Sequence, residues 1–248
     1  MVSGGDVARL TADHVRSLGI ELLSIDHIRR IRLATKALAV LPMKFTSDDE
    51  WYRAIVGLAS FARHNFKEVF IHTHINHPHE VTSHTREAMR RLHGDGIHVR
   101  NQTVLLRGVN DDPDDLTRLI RILGQINIHP YYVYACDMVA GVEHFRLPLH
   151  VVQRLETAVR GTTSGFDTPL FVVDSAGGKR DVHSPDHYDR EMGIAYFAAP
   201  AIKPGRVCPY ADPLRSLSRE ARRRWTSAQA GLDVLPARGS TEALGLVA

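Results

Sequence analysis

Short apolar runs alternate with amphipathic stretches along this chain, and that alternation predicts strands followed by helices. The apolar runs predict strands at His27–Leu33, Glu68–Ile71, Ile97–Leu106, Pro130–Tyr134 and Leu170–Val173. Apolar residues at helical spacing predict helices at Leu10–Leu23, Thr46–Phe61, Thr82–Gly94, Pro113–Gly124 and Pro148–Arg160. Four or five strand–loop–helix units in succession predict a parallel α/β sheet or barrel.

The pattern weakens toward the C-terminus, after about Cys208. There, Arg215–Trp225 predicts a basic helix with a solvated face, and Ala237–Ala248 predicts a disordered tail. We therefore expect a barrel-like domain at 1–210 and a helical or disordered tail at 211–248.

Composition narrows the class of protein. The chain has 248 residues, 44% of them hydrophobic, which is enough for one large domain with a core. Its net charge of +3 shows no clustered basic footprint, so we expect no nucleic-acid partner. No apolar run is long enough to span a membrane, and the first residues do not resemble a signal peptide, so we expect a cytoplasmic protein. Two cysteines, Cys136 and Cys208, are too few for a disulfide framework.

Polar residues collect where the predicted strands end. Thr73–Pro78 follows one strand, Asn101–Asp111 overlaps the end of the next, and Asp137 and Asp174 follow two more. The C-terminal ends of parallel strands share one face of an α/β barrel, where active sites lie. We therefore expect these side chains to surround a pocket.

The histidines at 72, 74, 77 and 79 invite a metal interpretation, since imidazoles are common ligands. A metal-dependent barrel hydrolase would use His72 and His74 with Asp137 or Asp174. The alternative is a polar loop whose histidines only make hydrogen bonds. The residues alone leave both interpretations open.

Asp137 and Asp174 form an acidic pair if their strands are neighbours. Two carboxylates on one face share a proton or bind a cation, such as an ammonium or a guanidinium. Helix capping is the alternative role for each.

Lys179 follows Gly177 and Gly178 directly after a predicted strand end, and it is one of only five lysines. A lysine amine can form a Schiff base with pyridoxal phosphate. The alternative is an exposed lysine in a glycine turn. At the other end of the chain, the two glycines of Ser3–Asp6 allow close backbone approach to a ligand, although the same residues are also typical of a plain turn.

Together these residues resemble the lysine 2,3-aminomutase family of radical S-adenosylmethionine enzymes, which also use pyridoxal phosphate. The resemblance runs in order over residues 3–179 and rests on blocks at Ser3–Asp6, Thr73–Pro78 with Glu80 and Thr82, Asn101–Asp111, Pro130–Tyr134 with Asp137, Glu143–Arg146, Thr163–Gly165 and Phe171–Lys179. It implies a partial α/β barrel of the radical S-adenosylmethionine type that lacks its first strands.

The resemblance also implies roles for single residues. Ser3, Gly4, Gly5 and Asp6 would hold the amino group of S-adenosylmethionine, and His74 and Gln102 would face that cofactor. Lys179 would carry pyridoxal phosphate as the catalytic lysine. Asp137 and Asp174 would bind the distal amino group of a small amino acid substrate.

The implied reaction is a 2,3-aminomutase reaction. A [4Fe–4S] cluster cleaves S-adenosylmethionine, the 5′-deoxyadenosyl radical removes hydrogen from C3 of the substrate, and the amino nitrogen moves from C2 to C3. L-Lysine, converted to β-lysine, is the expected substrate, with L-arginine as the alternative. The family resemblance also allows a homo-oligomer.

The chain departs from the family pattern in two respects. The three-cysteine motif that binds the iron–sulfur cluster has no counterpart here, so the cluster ligands are not in this chain. The glycine run before Lys179 is about two residues shorter than is usual in the family. We expect that the sequence is an engineered fragment, follows from a misassigned start, or is a decayed, non-catalytic copy.

Overall fold

A six-stranded sheet organises the fold, and its strands lie side by side in chain order. The protein is described by a computed structural model covering residues 2, 5–175, 178–199 and 205–226. The strands are β1 (Arg30–Ala34), β2 (Glu68–Thr73), β3 (His98–Leu105), β4 (Ile128–Ala135), β5 (Leu170–Ser175) and β6 (Gly178–Asp181). β2 pairs in parallel with β1 and β3, β5 pairs in parallel with β4, and β6 is antiparallel to β5. This mostly parallel sheet confirms the predicted partial α/β barrel.

Eight α-helices accompany the strands within the described residues. They are α1 (Ala12–Ser24), α2 (Ala37–Val40), α3 (Lys44–Ser47), α4 (Asp49–His64), α5 (Ser83–Gly94), α6 (Pro113–Gln125), α7 (Leu149–Val159) and α8 (Arg219–Thr226). Side-chain caps begin several of them, because the first backbone N–H groups of a helix lack partners. Thr11 caps α1, Asp48 caps α4, and Thr82 forms a capping box with Thr85 at α5. None of these helices is both long and apolar enough to cross a membrane.

The chain divides into two compact units. The first comprises residues 1–103, 114–131 and 163–168. Its core is apolar: Trp51, Ile55 and Leu58 of α4 are buried together with Val69 and Ile71 of β2. Burying a large apolar side chain contributes roughly 1.5–3 kcal/mol, so this core is the main source of stability in the unit.

The strands of the first unit alternate between the core and the opposite sheet face. Val69 and Ile71 of β2 belong to the core, so Phe70 and His72 project from the other face. On β3, Val99 lies in the core, and Arg100 and Gln102 project with His72. The face away from the helices therefore carries polar and charged side chains.

The second unit comprises residues 104–113, 132–162 and 169–248. It contains an antiparallel sheet of β7 (His187–Asp189), β8 (Ile194–Ala198) and β9 (Val207–Ala211), in that order. The sequence pattern did not predict these strands, nor β6. The predicted basic helix at Arg215–Trp225 is present as α8, and the predicted tail at Ala237–Ala248 lies outside the described residues. The expected domain boundary at residue 210 stays a prediction.

Candidate active site

The loop after β2 is held by side chains from β3. The side-chain oxygen of Asn101 accepts a hydrogen bond from the Ile75 N–H (2.8 Å), and its amide nitrogen donates to the Ile75 carbonyl (2.9 Å). Thr103 also donates to that carbonyl through its hydroxyl (2.9 Å). Asn101 and Thr103 are buried, so these bonds are shielded from water. The backbone on both sides of Ile75 is therefore fixed, which sets the position of His74.

An ion pair fixes the same loop from a second side. Lys36 donates through Nζ to the His74 carbonyl (2.9 Å) and to Glu80 Oε1 (3.1 Å). The other oxygen of Glu80 accepts from the Asn76 N–H (2.6 Å). The sequence analysis gave Lys36 no role, although the scarcity of lysine was a signal that could have found it.

Asp6 organises the start of the first unit. Its Oδ1 accepts from the Ala8 N–H (2.9 Å) and the Thr35 hydroxyl (2.6 Å), and its Oδ2 accepts from the Lys36 N–H (2.7 Å). These bonds join residue 6 to the end of β1. Val2 also pairs with Leu33 of β1 in a parallel bridge. Asp6 thus has a structural role besides any contact with a ligand.

Four of the predicted cofactor-facing residues line one cavity of about 280 Å³ in the first unit: Gly5, Asp6, His74 and Gln102, together with Thr35, Lys36, His72 and Thr73. A side-chain Cβ at Gly5 would meet open space, so a ligand could approach the backbone there. Ser3 and Gly4 lie outside the described residues. The structure therefore brings together Gly5, Asp6, His74 and Gln102, while their contacts with S-adenosylmethionine stay a prediction.

Histidines 72 and 74 differ in their surroundings. His72 is buried, and neither of its ring nitrogens has a hydrogen-bond partner among the residues that the structure describes. Burial, together with the nearby positive charges of Arg32 and Arg100, lowers the pKa of His72 to about 4. Burial and Lys36 also lower the pKa of His74, against the opposing effect of Glu80. Both rings are therefore neutral at pH 7.

The histidines of the β2 loop do not converge on a metal site. His77 lies 3.8 Å from Asp115 Oδ2, and its ring packs against that of His79 with the centroids 4.5 Å apart. No group of three potential ligands that could hold a metal ion occurs among the residues the structure describes. These residues give the metal interpretation of His72 and His74 no geometric support.

A second group of functional side chains lies in the second unit, on the hairpin of β5 and β6. Asp174 and Lys179 are direct cross-strand partners, and Lys179 Nζ donates to Asp174 Oδ2 (2.9 Å). The same ammonium lies 5.4 Å from the ring centroid of Tyr134, at the end of β4. Burial lowers the pKa of Lys179, but the interactions with Asp174 and Tyr134 outweigh it and leave this pKa raised.

Asp137 belongs to the same electrostatic group. Partial enclosure by protein and the negative charge of Asp174 raise the pKa of the Asp137 carboxyl, and the positive charges of Lys179 and Arg146 partly offset that effect. The structure thus brings the predicted residues Asp137, Asp174 and Lys179 together. The sequence analysis missed the contact of Tyr134 with this group, although Tyr134 closes a predicted tyrosine-rich strand.

The Glu143–Arg146 block makes hydrogen bonds and a cation–ring contact within the second unit. Arg146 is buried, donates to the Ala211 carbonyl and lies 5.2 Å from the ring centroid of Tyr210. Glu143 accepts from the Leu214 N–H (2.6 Å). The block therefore ties the residues after β4 to the end of β9.

The thiols of this chain do not fit an iron–sulfur cluster. Cys136 and Cys208 are both buried, and burial raises the pKa of the Cys136 thiol. A [4Fe–4S] cluster needs several accessible thiolates close together. No cysteine here is assigned to the cluster that the family resemblance implies.

Comparison with known proteins decides the family. The L-lysine 2,3-aminomutase of Fusobacterium nucleatum is 35% identical over 178 residues, which is 72% of this chain. The chain belongs to the lysine 2,3-aminomutase family. The L-lysine 2,3-aminomutase of Clostridium subterminale is 34% identical, and the glutamate 2,3-aminomutase of Clostridioides difficile is 32% identical, each over 72% of this chain.

The chain spans about 40% of the length of each of these three aminomutases. No family model matches it. The similarity therefore concerns part of each relative.

Proposed function

We propose that this chain provides the substrate-binding and part of the cofactor-binding machinery of an amino acid 2,3-aminomutase that acts on a basic amino acid. The observation that supports this most directly is the group of Asp137, Asp174 and Lys179, because it combines an amine with two carboxylates. The relatives named as lysine 2,3-aminomutases agree with a basic substrate. L-Lysine is the proposed substrate, and L-arginine is the alternative.

The charges of this group argue against glutamate, the substrate in the name of one relative. Partial burial and the negative charge of Asp174 already raise the pKa of the Asp137 carboxyl. A distal carboxylate of the substrate would add a third negative charge within a few ångströms. A distal ammonium or guanidinium would instead satisfy both carboxylates.

Lys179 fits the role of a pyridoxal phosphate lysine. Its side chain is partly exposed, and Asp174 and Tyr134 orient its amine. Pyridoxal phosphate, when bound, supplies an electron-delocalising ring that permits the nitrogen to migrate between C2 and C3. The residues of this chain would bind the substrate cation through Asp137 and Asp174 and position the amine of Lys179.

The cavity of the first unit fits part of S-adenosylmethionine. Neutral His74 and Gln102 offer hydrogen-bonding groups, and Gly5 leaves room for a ligand against the backbone. S-adenosylmethionine would supply the radical that removes a substrate hydrogen. Asp6 and Lys36 would hold the walls of this cavity in place.

The experiment that tests the proposal is absorbance spectroscopy of the protein with pyridoxal phosphate, followed by borohydride trapping and mass spectrometry. We expect a band near the visible edge and a phosphopyridoxyl adduct on Lys179. The matched variant is Lys179→Arg, which keeps the positive charge beside Asp174 but cannot form the covalent bond. A band of unchanged intensity in Lys179→Arg, or an adduct on another lysine, would contradict the proposal.

The alternatives give different results in simple assays. A metal-dependent hydrolase would lose stoichiometric zinc in His74→Ala, but no observation on the described residues favours it. A non-catalytic remnant would show the Lys179 adduct without turnover of L-lysine or L-arginine. The adduct therefore tests the site, and turnover tests the reaction.

A further inference from the structure

The hydrogen bond between Lys179 and Asp174 has a consequence for the order in which the site is filled. Under the proposed function, on which this inference rests, Asp174 binds the distal cation of the substrate. In the structure, however, Asp174 already has a cation, the ammonium of Lys179 at 2.9 Å. The Asp174 carboxylate cannot bind the substrate cation and the Lys179 ammonium equally well at the same time.

The register of the hairpin makes this pairing a property of the fold. Asp174 and Lys179 face each other across β5 and β6, with Val173 opposite Arg180 and Ser175 opposite Gly178. Directly opposed residues in an antiparallel pair point to the same side of the sheet, with their Cβ atoms about 4.5–5.5 Å apart. An ammonium at the end of the lysine side chain therefore reaches the carboxylate without any change in the backbone.

Within the described ranges, the other group that contacts the Lys179 ammonium is a weaker anchor than Asp174. Tyr134 offers its ring and hydroxyl to the Lys179 ammonium, which is a weaker interaction than an ion pair. Asp137 is the other negative charge of the group, and partial burial together with the nearby charge of Asp174 raises its pKa. With Lys179 in place, the two carboxylates and one ammonium carry a net charge of −1.

We propose that Lys179 and the substrate cation use Asp174 in succession, so that attachment of the cofactor to Lys179 frees Asp174 for the substrate. Lys179 reacts as a neutral amine: its ammonium proton leaves to solvent, the C–N bond to the aldehyde carbon forms, and water departs. Asp174 then has no internal partner, and the acidic pair is left with two negative charges. The substrate cation restores the balance.

This exchange makes the two binding events mutually favourable. A cation that binds Asp174 releases Lys179, and loss of the Lys179 charge strengthens cation binding; linkage requires the two effects to be equal. The expected order is cofactor first and substrate second. A basic amino acid should bind weakly to the protein without cofactor, because it must displace Lys179.

The test is calorimetric titration of L-lysine into the protein without cofactor, with L-norleucine as the uncharged analogue. We expect Lys179→Met, which keeps an unbranched side chain of similar length and removes the charge, to bind L-lysine about fivefold more tightly than wild type. Lys179→Met should give no gain in L-lysine affinity when it is introduced into the Asp174→Asn variant. L-Norleucine should show no gain in any variant.

A matched control separates the exchange from a general change in charge. Arg180→Met removes one positive charge from the neighbouring residue of β6, opposite Val173 rather than Asp174, and should leave L-lysine affinity unchanged. Circular dichroism checks that each variant is folded. The proposal is overturned if Lys179→Met binds L-lysine no better than wild type, if Arg180→Met gains as much, or if the gain persists in the double variant.

These outcomes are distinct from failure of the proposed function. The titration contains no pyridoxal phosphate, so it does not depend on formation of the Lys179 adduct. An adduct without the fivefold gain would keep the proposed function and reject the exchange. A gain without an adduct would keep Asp174 as a shared anchor and reject Lys179 as the cofactor lysine.

Discussion

His72 lies buried at the end of β2, and within the described part of the chain neither of its ring nitrogens has a hydrogen-bond partner. A neutral imidazole tolerates this environment better than a charged one, since burial penalises the charged form most. Its folded-state pKa of about 4 is well below the ordinary value of 6.5. The folded protein therefore resists protonation of His72, and the unfolded protein does not.

We predict that His72 makes the protein less stable as the pH falls. With the folded pKa below the unfolded one, the contribution of His72 is fully present above pH 6.5 and is lost as the pH falls toward 4. The loss amounts to up to about 3 kcal/mol. The free energy of unfolding, measured with urea between pH 7 and pH 4, should depend less steeply on pH in His72→Asn than in wild type.

The control for this pH dependence is His93→Asn, because His93 is exposed. That variant should follow the wild-type curve. Equal slopes in wild type and His72→Asn would contradict the assignment of this pH dependence to His72.

Single residues also show which side chains the sequence predicts to lie near one another, while their functional roles stay predictions. Lys179, Asp137 and Asp174 were predicted from their positions after strand ends, and the structure places them together. Their partners were not predictable in the same way. The ion pair of Asp174 with Lys179 depends on β6, whose sequence Gly178–Asp181 is polar and carries no apolar alternation.

At the scale of secondary-structure elements, the β2 loop depends on its neighbour β3 more than on its own sequence. Asn101 is buried and makes hydrogen bonds to both backbone groups of Ile75. Loss of this amide would leave a buried N–H group without its partner, which costs free energy because water cannot replace it. The loop that carries His74 would then lose its fixed conformation.

We predict that Asn101→Ala lowers the free energy of unfolding by about 1–3 kcal/mol. Amide hydrogen exchange at Ile75 should also become faster, because the N–H loses its acceptor. Gln125→Ala, at the exposed end of α6, is the matched control and should change the free energy of unfolding little. Unchanged exchange at Ile75 in Asn101→Ala would show that another contact holds the loop.

The elements themselves were predicted unevenly. The five strands β1 to β5 and the long helices are confirmed, since each carries a clear apolar period. Among the antiparallel strands, β7 has only three residues and includes Asp189, and β9 includes Pro209, whereas β8 is an apolar run that the sequence analysis overlooked. β8 pairs in an antiparallel arrangement with β7 before it and with β9 after it.

At the scale of the whole molecule, the functional interpretation rests on the family similarity and on the division of the chain into two compact units. The cavity with Asp6 and His74 belongs to the first unit, and the group around Lys179 belongs to the second. The chain covers about 40% of its relatives named above, so turnover belongs to the proposal. Binding can be measured on this chain directly.

We predict that pyridoxal phosphate raises the thermal unfolding midpoint of the wild-type chain by several degrees. A ligand that binds only the folded protein stabilises it, by about 2.7 kcal/mol at one hundred times its Kd. Differential scanning calorimetry should show no such rise in Lys179→Arg. A rise of equal size in both proteins would mean that the ligand binds elsewhere.

The hairpin register also constrains how the turn before Lys179 can change in length during evolution. Side chains alternate between faces along a strand. If the turn keeps its own length, an odd number of residues added or removed between Asp174 and Lys179 would therefore send Lys179 to the face opposite Asp174. An even change preserves the parity. A glycine run about two residues shorter than the family norm is therefore compatible with a lysine that still faces its carboxylate.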